Sequence, residues 1–290
     1  MKKYQLSINI LVLGIVVLAI LACLFGLFSS GGIGQYEFKS INNETVKIYG
    51  EGIYKNDSIS AVAQGKAADF VTLVLGIPLL LASLYFTTRG SFKGKLMLTG
   101  TLGYFLYTYM SYTFLWTYNP LFIVYVIIMS ASLYAFILSF MSFEIEKVPA
   151  MFNEKLPTKF LGGFQLFVGF AIGMLWLGKI APSIFKGAIP LGLEHYSTLV
   201  IQGMDLGIIV PTAFLSGILI IKRKPFGYLL SSVIIIKGVT MLTSISAMII
   251  NMALKGVDMN LAEIFIFPVL NLLAVICLIL LLKNTIRAQT

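Results

Sequence analysis

Asp205 and Lys237 sit on two neighbouring apolar stretches, 197–221 and 227–251, joined by the basic turn Lys222-Arg223-Lys224-Pro225-Phe226. A charge at the centre of a bilayer costs about 2.5–3.5 kcal/mol on insertion scales, so such residues face inward and take a partner. At about 1.5 Å of rise per helical residue, Asp205 lies about 10 Å below the outer surface and Lys237 about 16 Å above the inner one. Helices joined by so short a turn pack together, and the two charges are expected to meet. Such a pair serves as a proton- or ion-coupled site or as the polar anchor of a substrate. The plain alternative is an ion pair that only fixes helix register.

Other residues have the right chemistry but weaker placement. Asp69 falls at the outer start of a span, where free N–H groups favour a carboxylate, so helix capping explains it. Glu263 has the same explanation, and Asn271 is deep enough to bond a neighbouring helix. Glu194 and His195, the only histidine, precede the 197–221 span on the outer side and form a candidate acid–base pair above Asp205. Tyr104, Thr108 and Tyr112 share one helical face. Tyr104, Tyr107 and Thr108 lie too deep for an interfacial belt, and either line an outward-facing cavity or pack inside the bundle.

The elements that carry these residues follow from composition. Of 290 residues, 58% are hydrophobic and 11% charged. Long charge-free runs recur along the chain, and none alternates with the period of a β-barrel strand, so the fold class is an all-α polytopic membrane protein of one domain, 1–290. The net charge of +9 comes from basic residues in short turns, which set orientation and do not point to nucleic acid. One histidine and two cysteines, Cys23 and Cys277 at different depths, offer no metal or haem ligand set and no disulfide. No cofactor is expected. Nucleotide loops, zinc-protease helices and nucleophile elbows are all missing.

Eight spans are expected, at 8–28, 68–87, 96–116, 121–141, 160–177, 197–221, 227–251 and 261–282. Turns rich in Lys and Arg, such as Arg89-Gly90-Ser91-Phe92-Lys93-Gly94-Lys95, then fall on one side, which the positive-inside rule makes cytoplasmic together with both termini. The one long polar segment, 30–66, is extracellular and carries a β-hairpin, with Tyr36–Lys39 and Val46 to Tyr49 alternating around Asn42-Asn43. The connection 179–195 is too apolar for a domain and is expected to lie along the outer interface. Glycines at 162, 163, 169 and 173 read as helix packing. Asp69, Pro78, Arg89, Gly90 and Gly100 recur in order as Asp205, Pro211, Arg223, Gly227 and Gly238, which would make 1–145 and 158–290 two parallel four-helix repeats with Asp69 the counterpart of Asp205.

The function expected is a bacterial cytoplasmic-membrane protein that binds or transports a small solute or lipid at an outward-facing polar site built on Asp205 and Lys237. Two alternatives stand beside it. One is a membrane-embedded enzyme acting on a lipid-linked substrate through Glu194 and His195. The other is an accessory subunit whose loop 30–66 docks a protein partner.

Overall fold

The computed structural model describes residues 4–190, 192–257, 259 and 261–286. Lys2, Lys3 and Arg287, which enter the charge asymmetry, lie outside them, as does the side chain of Glu263. In hydrocarbon every backbone polar group must bond within its own segment, and the apolar runs accordingly form helices. These are α1 (Gln5–Phe28), α2 (Ile59–Thr88), α3 (Phe92–Phe114), α4 (Phe122–Met141), α5 (Thr158–Lys186), α6 (Val200–Ile221), α7 (Pro225–Leu254) and α8 (Leu261–Lys283). All but α3 are long and apolar enough to cross a membrane. Threonine and tyrosine lower the apolarity of α3, and those hydroxyls turn inward: Thr99, Thr101, Tyr104, Thr108, Tyr109 and Tyr112 are all buried. The chain is an integral, multi-pass, largely helical membrane protein.

The expected hairpin is present. Strands β1 (Tyr36–Lys39) and β2 (Thr45–Ile48) pair antiparallel, with Tyr36 opposite Ile48 and Lys39 opposite Thr45. Two boundaries differ from expectation. Helix α2 starts at Ile59, inside the segment read as loop, because Ser58 caps it by accepting from the Ala61 N–H and its first turns are buried. The Asn251 amide of α7 also donates to the Ala63 carbonyl, at 2.7 Å. Helix α5 continues to Lys186 through Pro182, so the first half of the supposed interfacial piece is helix, and Gly187, in the left-handed region, ends it.

Helix α7 is the axis of the bundle, packing on α2, α3, α6 and α8. It meets α3 at Gly100, where a Cβ would stand 2.5 Å from the side chain of Ile236. Gly162 packs on Gly217 and Ile221 at the α5–α6 crossing, whereas Gly163 faces open space. Both expected free cysteines are buried.

The turn from α2 to α3 and the turn from α6 to α7 are built alike. Arg89, Gly90 and Ser91 donate from their backbone N–H groups to the carbonyls of Tyr85, Thr87 and Phe86. At one constant shift in sequence, Lys222, Arg223 and Lys224 donate to Ile218, Ile220 and Leu219. Gly90 and Arg223 both have positive φ. A Cβ on Gly94 would strike Phe86 and Thr87, and one on Gly227 would strike Leu219 and Ile220, at the same shift. The likeness continues along the helices. Both α2 and α6 contain a five-residue π turn, Thr72–Gly76 and Asp205–Ile209, followed by Pro78 and Pro211. Proline lacks an N–H and crowds the carbonyl four residues back, and a widened turn relieves both problems.

Candidate binding site

Asp205 is the first residue of the π turn in α6. The Tyr107 hydroxyl of α3 donates to one carboxylate oxygen at 2.6 Å, and the Trp176 indole N–H of α5 donates to the other at 2.8 Å. Lys237 of α7 places its ammonium 4.1 Å from the centroid of the Tyr107 ring. The two charges therefore share one phenol and do not form an ion pair. Among the described residues the ion pair present is Lys147–Glu144, on the surface. No acceptor among them bonds the Lys237 ammonium, which has the ring face as its partner.

These residues line a cavity of about 490 Å³. It runs from Gly192, Glu194 and Val257, at the hairpin end of the bundle, down to Gln165 and Ile234. Most of the wall is apolar, supplied by α2, α3, α5, α6, α7 and α8, and Met241, Met248 and Met252 line one side. Gln165, at the floor, is fixed by a buried network: the Ser216 hydroxyl donates to its carbonyl and its amide donates to Ser231. Such a network ties α5, α6 and α7 together with its polar groups satisfied. Helices α5 and α8 barely touch, whereas α1 and α4 at the other side pack along their length. Phe164 and Val168 of α5 reach the cluster of Leu242, Leu270 and Ala274.

The remaining candidates divide. Thr108 is buried and lines the cavity beside Tyr107. Tyr104 lies outside it, fully buried, with its hydroxyl 2.8 Å from Thr72 Oγ1. Asp69 is no helix cap, since α2 begins ten residues earlier; it is a buried carboxylate that accepts from Tyr54 at 2.7 Å and Tyr112 at 2.9 Å. Tyr112 stands between it and the cavity. Gly26 makes room for this group, because a Cβ there would fall 1.9 Å from an Asp69 oxygen. Burial first, and then the charge of Asp69, holds the Tyr54 phenol well above its ordinary value, so it remains a donor.

Glu194 sits at the cavity rim and accepts from the Ser60 hydroxyl. His195 turns away, with Nε2 3.0 Å from the Asn56 carbonyl and its ring against Tyr196 and Phe38. The expected acid–base pair above Asp205 is not assembled. Asn271 does bond across helices, to Thr243.

Sequence reasoning missed Trp176. The depth count that places Asp205 about 24 Å from its inner end places Trp176 about 27 Å from its own, which was the available signal. It also missed Asp57, which accepts from the Thr117 N–H at 3.0 Å and the Tyr196 hydroxyl at 3.1 Å. Burial raises the Asp57 carboxyl to about 6, against the pull of those donors. Compared with known proteins, the chain matches no family model, no curated protein and no solved structure.

Proposed function

We propose that the protein binds a small amphiphile in this cavity, and passes it across or along the cytoplasmic membrane, with Asp205, Tyr107 and Lys237 as the polar anchor. The observation that carries the reading is the coincidence, on the wall of one mostly apolar cavity, of an ammonium bonded to no acceptor among the described residues and a doubly held carboxylate. The volume falls within the range of about 300–1,000 Å³ usual for ligand sites. The loose seam between α5 and α8 favours a ligand that arrives from the bilayer.

In this reading the chain crosses the bilayer eight times with both termini inside. Helix α3 joins the inner end of α2 to the outer end of α4 through short turns, so it traverses the same thickness they do. The shared turns and π segments support two parallel four-helix repeats. Their register pairs Asp205 with Thr72 and Lys237 with Tyr104, not Asp205 with Asp69. It also pairs Gly238 with Phe105. The first copy is then closed by a hydroxyl pair and an aromatic ring, and the second is opened by a glycine and given two charges.

Native mass spectrometry of the protein released from maltoside micelles tests this. The wild type is expected to retain small-molecule adducts, and Asp205→Asn and Lys237→Met to lose them while eluting as folded protein. Adducts kept by both variants, or none on the wild type, would remove the cavity from consideration as a binding site.

A further inference from the structure

The charges around the cavity narrow the ligand further. Among the described residues four charged side chains line it, Lys179, Glu194, Asp205 and Lys237, and their formal charges cancel. Within a mostly apolar wall, where charges are weakly screened, a ligand of net charge would leave one sign uncompensated. Asp205 and Lys237 hold the two signs apart on its wall. Each Asp205 oxygen accepts one hydrogen bond and retains a lone pair, and the rings of Tyr107 and Trp176 flank it. The faces of those rings already carry Lys237 and Lys179, so it is the free carboxylate lone pairs that suit an alkylammonium group. The Lys237 ammonium, bonded to no acceptor among the described residues, suits a phosphate. Asp205 lies nearer the mouth and Lys237 deeper, and the apolar side chains of Phe164 and Ala274 line the cavity at the α5–α8 seam.

Resting on the binding reading above, we infer that the ligand is a zwitterionic amphiphile of the aminoalkyl phosphate ester class. Its ammonium sits at Asp205 and its phosphate at Lys237, and its chain leaves through the seam. The order ammonium, phosphate, chain in such a molecule matches the order carboxylate, lysine, apolar wall in the cavity.

The test uses the full chain carrying Trp116→Phe, which leaves Trp176 as its one tryptophan, in maltoside micelles. A lysophosphatidylethanolamine with a brominated chain is titrated as a quencher of Trp176 fluorescence. It is then competed with dodecyl phosphoethanolamine, dodecyl phosphate, dodecylamine and chain-free phosphoethanolamine. Saturable quenching is expected, reversed by dodecyl phosphoethanolamine at concentrations at least about tenfold below those of either singly charged compound, and not reversed by phosphoethanolamine. Asp205→Asn is expected to erase the advantage over dodecyl phosphate, and Lys237→Met the advantage over dodecylamine. Equal competition by a singly charged chain, or a ranking unchanged in both variants, overturns the zwitterion assignment and leaves the cavity as a binding site. Absence of saturable quenching overturns both.

Discussion

Lys237 and Asp205 share Tyr107, whose ring takes the ammonium on its face and whose hydroxyl is given to the carboxylate. A direct ion pair would satisfy both charges and leave nothing for a ligand. Tyr107→Phe separates the two roles, since it keeps the ring and removes the donor. Hydrogen bonds to charged groups contribute about 1.5–3 kcal/mol, so thermal unfolding in detergent should show a loss of that order. Binding of an amphiphile should weaken by about tenfold or more. A variant as stable as the wild type would mean that the hydroxyl does not hold Asp205.

Gly238 faces open space on the cavity wall. Gly238→Phe supplies the ring that Phe105 provides in the earlier helix pair. The expected outcome is a folded protein with an unchanged or higher unfolding temperature and no amphiphile binding. Quenching of Trp176 by a brominated chain is the measurement, and retained quenching would show that the ligand lies elsewhere.

Around Asp69 the expectation is structural. Gly26→Ala forces its methyl group into the carboxylate, which must leave Tyr54 and Tyr112. Each hydrogen bond lost to a charged group costs about 1.5–3 kcal/mol. Asp69→Ala in the same chain removes the collision. A double-mutant cycle on unfolding temperature should therefore show strong coupling between the two positions, and additive effects would place them out of contact.

Asp57 gives a pH dependence outside the membrane. Its folded value, about 6, lies above the ordinary 3.8, so the folded form holds the proton more tightly. Its contribution is full below about pH 4 and is lost as pH rises through about 6. A shift of this size corresponds to about 3 kcal/mol. Amide exchange in Thr45–Ile48 should become faster between pH 4 and 6.5, after correction for the intrinsic rate, and Asp57→Asn should flatten that change. An identical profile in the variant would assign the effect to another group.

Much of this was legible in the chain. Helix positions and the hairpin followed from hydropathy and turn chemistry, and Asp205 and Lys237 stood out because charge in a bilayer is expensive. Their relation to Tyr107 was not legible, because a phenol on a third helix enters through packing. The start of α2 was misplaced because its first turns, around Gln64 and Lys66, read as polar although α7 covers their apolar side. Asp69 was misread for the same reason, since a cap can be assigned only once the end of its helix is known. The register of the two helix pairs was hidden by aligning like charges. Gly94 and Gly227, which carry the shared turn, are more informative than Asp69 and Asp205.

The carboxylate of Asp57 precedes α2, the amide of Thr117 lies early in the link from α3 to α4, and the phenol of Tyr196 leads into α6. One side chain thus fastens three connections at the hairpin end, and it joins the earlier helices to the later ones. Any widening of the vestibule that draws Tyr196 away from Asp57 must first undo this clasp. A swing of one group of helices against the other is consequently hinged at the hairpin end or gated by it, and it cannot proceed there unopposed.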